Sequence, residues 1–580
     1  NKAIDIIDDP EECIQVADLN LTAGLASRDK GDFKLSCEFL EAALDIFNPA
    51  YTKSHSDLKF TLLYEAAISQ YISGSFEKAV ELADQLTTLD HKVIQRAESV
   101  KIKILSYLAL GDILLAINIG RDFLKQLDID IPEINDNIGL ISQFEAETKE
   151  HNNLIKQSGF SVRDLSNLAE TDNSKIKNAM TILSELLVPS FFVSKNLMHL
   201  LSILQINLAI KNGGNKSMAL AYSWWGISLI YQEKFKQAFE FSTLAMKMSS
   251  SHEMMARVCT GNGICIDHYN RHLRHSVSIL KAGAASAEQS NELTFATYCT
   301  AGYNRYAFYQ GVDLCKVRSE SNTCLLKIQK WNVGALYDCH IIMHYTYLSL
   351  LGVSPDKYIL NESTELESDL LSRWKGYNNN LHISLYSIQK MMLHYTYGDY
   401  TSALKYAIMA EENKQGTMPS YDYTNIAFYY PLILLELLPA AAENQKELYW
   451  CTINGYLKTL RLWSKQSKSN FLHKYLLVLA EKSRVKGDYP RAIALYDEAI
   501  TEASKNKFIQ MEAMANELYG RCWQALGKEE YAMTHLHKSF CIYRRWGAKT
   551  KLNQLKEFYG QRVELSTLGS KELNFKSEID

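Results

Sequence analysis

Apolar and small residues recur along this chain in one arrangement, at least six times over. An amphipathic stretch of helical period is followed by a turn signal and a second amphipathic stretch of the same period. The clearest copy runs Leu476, Leu479, Ala480, Gly487, Asp488, Tyr489, Ala492, Tyr496, Ala499. Others run Gly24, Gly31, Phe33, Ser36, Leu40, Ala43, then Ala67, Gly74, Phe76, Ala79, Ala83, then Gly226, Phe235, Ala238, Ala245. Two more run through Gly398, Tyr400, Ala403, Ala407, Ala410 and through Gly520, Gly527, Ala532. A small residue inside each stretch lets two helices cross closely. In Gly31-Asp32-Phe33, Gly398-Asp399-Tyr400 and Gly487-Asp488-Tyr489 the glycine ends one helix in left-handed geometry and the carboxylate caps the next. The aromatic then plugs the seam. One such hairpin cannot bury its apolar face alone, so the repetition predicts stacking into a continuous array.

Set on a 34-residue scheme, the small residues fall at places 8, 20 and 27, the glycine at 15 and the aromatic at 17, which resembles the tetratricopeptide (TPR) pattern. Corner glycines lie 43 residues apart from Gly31 to Gly74, 37 from Gly74 to Gly111 and 40 from Gly487 to Gly527. These spacings exceed the regular period, so the repeats are TPR-like. The predicted fold is all-α, a right-handed α-solenoid of TPR-like antiparallel helical hairpins.

The pattern divides the chain as follows. Residues 1–12 read as an incoming linker and 13–132 as a TPR-like block that closes on Leu127-Asp128-Ile129-Asp130-Ile131-Pro132. Residues 133–215 form an irregular helical insert, with a polar helix near 139–156, a loop at 164–174 and apolar helices over 177–210. A TPR-like and irregular block spans 216–470, a C-terminal TPR-like block 471–560, and an outgoing linker 561–580. The first residue is Asn1 with no signal-like start, so a segment of a longer chain is expected.

Composition narrows the function classes. Nine Pro and 27 Gly in 580 residues, at 47% hydrophobic, suit a nearly all-helical chain. A net charge of -4 without long basic or acidic runs argues against nucleic acid and anionic membrane as partners. The most apolar stretch, 426–442, is interrupted by Pro431, Glu436 and Pro439, which favours buried helices over a membrane span. Eleven scattered cysteines, an odd number with no CxxC pair, predict buried thiols in a reducing, cytoplasmic setting.

Candidate chemistry is sparse. Cys265, His268, His272 and His275 fall on one face of a single predicted helix. Four ligands strung along one straight helix spread over about 15 Å of rise, too far for one ion, so a polar seam is favoured over zinc. Asn212-Gly213-Gly214-Asn215-Lys216-Ser217 ends like a phosphate loop but follows a helix and lacks the first glycine, which reads as a C-cap and the next N-cap. Gly261-x-Gly263 lacks the third glycine of a dinucleotide fingerprint. No catalytic set, metal site or cofactor site is predicted. The repeat scheme places Lys474, Arg484 and Arg521 in the inner groove, a basic ledge for an acidic peptide or terminal carboxylate. A solvated face neutralised by Glu481 and Glu517 is the competing reading and weighs more.

Several phrases, in order, resemble the helical-repeat region of large multi-sensor hybrid histidine kinases of fungal type and their bacterial relatives. They include Ala17-Asp18-Leu19-Asn20-Leu21-Thr22-Ala23-Gly24, Gln70 through Ala79, Leu127 through Pro132, Ala301-Gly302-Tyr303 with Tyr309-Gln310-Gly311, and Tyr543-Arg544-Arg545-Trp546-Gly547-Ala548. Asn291-Glu292 stands where many relatives have Gly-Asp, and Ala169 where Pro is usual. The resemblance implies a non-catalytic scaffold or sensor segment, between a STAND-type ATPase and downstream GAF and histidine-kinase modules, which regulates them through protein contacts. A free-standing TPR adaptor that binds a peptide or helix is the alternative. Oligomeric state and the identity of the partner are left open by the sequence.

Overall fold

The structure, a computed structural model, describes residues 9–47, 55–89, 93–331, 334–377 and 379–565. Most of the two expected linkers, residues 1–8 and 566–580, lies outside the described residues, and Pro10 and Arg562 already begin helices. Among the described residues there are 27 α-helices and no β-strand, only one isolated bridge between Glu170 and Gly214. The fold is all-α and built of TPR-like antiparallel hairpins. Two compact units divide it, one of residues 1–228 with 243–250, the other of residues 229–242 with 251–580.

The local reason for each hairpin lies at its corner and its crossing. Gly487 adopts φ +80°, its N–H donates to the Arg484 carbonyl at 3.0 Å, and the Asp488 N–H donates to the Ser483 carbonyl at 2.9 Å. The Asp488 carboxylate then caps helix Tyr489–Lys505 by accepting from the Arg491 N–H. Asp32, Asp112 and Asp399 cap the helices after their own corners in the same way. Asn291 does the glycine's work at the corner where the resemblance led us to expect Gly, with φ +58°. At the crossing of the first hairpin a Cβ on Gly24 would sit 2.8 Å from Leu40 Cγ, so only glycine fits. Ala43, Ala67, Ala79, Ala238, Ala245, Ala403, Ala410, Ala480, Ala492 and Ala532 are fully buried.

In the first unit three hairpins follow one another: Pro10–Asp29 with Phe33–Ile46, Ser56–Ile72 with Phe76–Thr88, and Val93–Leu110 with Ile113–Gln126. Each packs on the next. The insert then supplies the polar helix Asn137–Ser158 and the apolar helices Ser174–Val193 and Lys195–Asn212. Helix Ser174–Val193 is long and apolar enough to cross a bilayer, but it packs on Val93–Leu110, Ile113–Gln126 and Lys195–Asn212, with 61% of its most apolar window buried. Gly213 ends helix Lys195–Asn212, and the Asn215 side chain accepts from the Ser217 N–H and hydroxyl.

The second unit has two layers. Its outer helices carry one buried stripe each, as in Tyr489–Lys505, where Ala492, Tyr496, Ala499 and Ala503 face inward. Its inner helices are enclosed all round. In helix Asn380–Thr396 every residue from His382 to Tyr395 is buried, and in Tyr421–Leu437 nearly all are, with Pro431 inside the helix. The stretch 426–442 is thus mostly one core helix of this unit followed by a short 3-10 turn at Leu438–Ala440.

Enclosure comes from contacts between inner helices that are distant in sequence. The Tyr309 hydroxyl donates to Asp422 at 2.9 Å and accepts from Gln389 Nε2 at 2.7 Å, while its carbonyl accepts from Gln510 Nε2 at 2.5 Å. Arg305 Nε lies 3.0 Å from Asp422 Oδ1. Trp546 Nε1 donates to the Val312 carbonyl across 234 residues, and Asn470 Nδ2 donates to the carbonyls of His268 and Arg271. Buried side chains of mixed polarity therefore meet inside this unit, where these bonds pair many of their polar atoms, although Gln389 Oε1 and Gln510 Oε1 are buried with no hydrogen-bond partner among the described residues.

Candidate functional site

The repeat scheme points to the inner faces of the first helices, and the two units treat those faces differently. On helix Ser56–Ile72, Tyr64, Ile68 and Tyr71 form a stripe at spacings of four and three, half-buried on Ala67, Ala79, Ala83 and Ile102. Leu25 on the preceding hairpin is likewise half-buried. Charges flank this strip: Arg28 Nη1 lies 2.7 Å from Glu65, and the Tyr64 hydroxyl donates to Glu98 at 3.2 Å. The same arithmetic of repeat places that selected Lys474 gives Tyr64, Ile68 and Tyr71 when it starts from Ala67.

In the second unit the basic ledge takes another form. Lys474 is 2% exposed and points among inner helices, donating to Thr424 Oγ1 at 3.3 Å and Asn425 Oδ1 at 3.1 Å over the Tyr421 ring. Burial without a carboxylate partner pulls its ammonium down to about 7. Arg484 is held by Glu481 at 2.6 Å and Arg521 by Glu436 at 2.8 Å, with Arg521 Nη1 also donating to the Tyr400 hydroxyl. Glu481 accepts from the Tyr496 hydroxyl as well. Burial pushes the Glu436 carboxyl up even with Arg521 and Arg484 beside it. The three cations thus share no open surface: one is in the core, and two belong to an ion-pair cluster. Arg521 borders a cavity of about 200 Å³ that Lys551, Glu517, Tyr395 and Tyr400 also line, and Lys474 borders a separate one of about 40 Å³.

The single helix expected across Cys265 to His275 is not formed. Cys265 lies in a π-helical turn, Asn262–Ile266, and His268 in the 3-10 turn Asp267–Tyr269, while His272 caps helix Leu273–Gln289 through Arg274 N–H at 3.1 Å. The chain turns a corner at Asn270 and Arg271, tied down by Asn470. The four side chains therefore share no face. Burial lifts the Cys265 thiol to about 12 and lowers His268 to about 3, and His272 Nε2 is 2.8 Å from the Asn506 carbonyl. Among the described residues no group of His, Cys, Asp and Glu is placed to hold a metal ion.

These features define an all-α protein of TPR-like helical hairpins. No family model matches the chain, and no curated protein matches it. Among solved structures, the crystal structure of the APC/C hetero-tetramer Cut9-Hcn1 aligns over 93% of this chain and 96% of that one, at 13% identity and a TM-score of 0.43. Yeast Tom70 aligns over 86% and 95% at 12% identity and a TM-score of 0.29. Naa15/Naa10 bound to HypK-THB aligns over 89% and 88% at 12% identity and a TM-score of 0.21. At such scores the hairpin architecture stands on this chain's own packing.

Proposed function

We propose that this chain is a non-catalytic helical-repeat scaffold whose first hairpins receive a segment of another protein module. The observation that carries this reading is the half-buried inner face of Leu25, Tyr64, Ile68 and Tyr71, an apolar strip bordered by Arg28, Glu65 and Glu98. A strip of that kind suits the apolar side of an amphipathic helix, with the flanking charges setting its register. The ordered phrases shared with multi-sensor hybrid histidine kinases favour a regulatory, cytoplasmic setting between an ATPase-type module and phosphotransfer modules. There the docked segment is worth about 1–3 kcal/mol of coupling. A free-standing adaptor uses the same strip equally well.

A photo-reactive residue placed at Ile68 or Tyr71 in the full polypeptide encoded by the gene separates the readings. Crosslinks to another module of the same polypeptide support the regulatory segment. Crosslinks to a separate protein, abolished by Ile68→Glu, support the adaptor. If neither position crosslinks more than a control at exposed Lys34, the strip is not an interface.

A further inference from the structure

Charge is spread unevenly over the second unit. Between Leu448 and Tyr496 the chain carries Lys or Arg at nine positions and only two acids, Glu481 and Asp488, in a protein whose net charge is -4. Both acids are committed: Glu481 is buried against Arg484 and the Tyr496 hydroxyl, and Asp488 caps helix Tyr489–Lys505. Lys474 and Arg484 turn inward. The ion pairs of this region involve Lys446, Arg484 and Lys505, and none of the remaining seven cations has one among the described residues.

Helical geometry gathers those cations on one surface. At about 100° per residue, Trp450, Asn454, Lys458, Arg461 and Lys465 fall within an arc of about 80° on helix Glu443–Gln466. The arc runs beside the buried face of Ile453, Leu457 and Leu460 and is exposed from Asn454 onward. Lys468 follows it across the turn at Ser467. At the other end Lys482 Nζ donates to Asn454 Oδ1 at 2.6 Å, and Lys486 lies over the Trp450 ring at 5.1 Å. Burial pulls the Lys482 ammonium below its usual range, and the charges of Lys486 and Arg491 add to that pull, so this end repels itself until an anion arrives. From Trp450 to Lys465 the strip is about 22 Å long.

We propose that this strip docks an acidic helix of a partner protein, with Glu or Asp at three- and four-residue spacings set against Lys458, Arg461 and Lys465. These three cations are spaced about 4.5 and 6 Å apart along their helix, which matches carboxylates three and four residues apart on a second helix, whereas one face of an extended strand repeats at about 6.6 Å. Single-stranded nucleic acid needs a free aromatic face for its bases, and Lys486 covers the Trp450 ring. A bilayer needs exposed apolar side chains to receive, and the well-exposed large hydrophobics among the described residues include none on the arc. The inference goes beyond the scaffold role: it adds a second, charge-driven contact, which stands whether or not a segment docks on the first unit.

The test titrates the full chain into a labelled alanine-based helical peptide with glutamate at alternating three- and four-residue spacings, read by fluorescence anisotropy. Its glutamine counterpart, an oligothymidylate and phosphatidylserine vesicles serve as competitors for the reading. The glutamate peptide is expected to bind saturably, more tightly than the glutamine peptide, and to weaken as salt rises from about 50 to about 200 mM. Lys458→Glu, Arg461→Glu and Lys465→Glu together should weaken it at least about tenfold. The same change of net charge made by Lys316→Glu, Lys330→Glu and Lys528→Glu, at exposed positions elsewhere in the unit, should weaken it less than about twofold. Glutamine at the three strip positions replaces glutamate there if the reversal impairs folding, and the loss is expected to persist. No saturable binding, a glutamine peptide that binds as tightly, equal losses from the two triple variants, or tighter binding of oligothymidylate or vesicles through the same three residues would overturn the proposal.

Discussion

The hairpins of the first unit and those of the second carry the same corners and crossings, yet their inner helices end in opposite surroundings. Helix Ser56–Ile72 buries one side and leaves Tyr64, Ile68 and Tyr71 half-exposed, whereas helix Asn380–Thr396 is enclosed on every side. The repeat signature therefore fixes the hairpin and not what becomes of its inner face. That is decided by residues outside the signature: Tyr309, Asp422, Asn470, Gln510 and Trp546, whose polar atoms find one another across long stretches of chain. Ion pairs show the same contrast. Arg305 and Asp422 are 10% and 1% exposed, while Arg28 and Glu65 are 19% and 18% exposed.

Acid should open the largest gap between the two units. Burial lowers His268 to about 3, His340 to about 4 and His473 well below its ordinary value, all in the second unit, and lowers His199 in the first to about 3. Below pH 6.5 the unfolded chain takes up protons that these folded rings refuse, so stability falls as pH drops from 6.5 toward 4. With three such rings in the second unit against one in the first, the second unit should lose more stability by pH 5, partly offset by Asp267, whose carboxyl burial lifts to about 6. Urea unfolding at pH 7 and pH 5, localised by hydrogen exchange, reads the difference. Equal losses in both units would break the contrast.

Cutting one carboxylate in each unit probes it next. Asp422→Ala leaves Arg305 buried and unpaired and should cost about 3–5 kcal/mol. Glu65→Ala releases a partly solvated Arg28 and should cost less than about 1 kcal/mol. Chemical denaturation of both variants checks the ratio, and comparable costs would mean that the inner layer of the second unit is wetter than described. The smallest effect compares two glycines. At Gly487, φ +80° with open space around it, alanine should cost about 1 kcal/mol. At Gly311, φ +92° with a Cβ 2.9 Å from the Ile509 nitrogen, it should cost about 2–3 kcal/mol. Thermal midpoints of the two alanine variants suffice to tell them apart.

What the sequence made legible follows from where its signals are strong. Helix ends at Gly31, Gly398 and Gly487, the alanines at crossings, and the polar and apolar helices of residues 133–215 all rest on local pattern, and the structure has helices and corners there. The enclosure of the second unit was not legible, because an inner helix such as His382–Tyr395 is buried at every phase and shows no periodicity to read. The place of Lys474 in the repeat faces inward, as both the groove ledge and the solvated face require, but the inward side is dry. The corner at Asn270 has no local signal, since neither proline nor glycine marks it and its anchor, Asn470, lies 199 residues from Arg271. Of the candidate site, the inner-face rule was legible. Which copies keep that face open depended on contacts that no local window contains.

The hydrogen bond from Trp546 to Val312 also sets an order of events during synthesis. At about 5–20 residues per second, roughly 10–50 s separate the emergence of its two ends from the ribosome. Throughout that interval Phe308 and Tyr309 lack the neighbours that Gln510 and Trp546 supply, while each hairpin of the first unit waits only for the next one to be made.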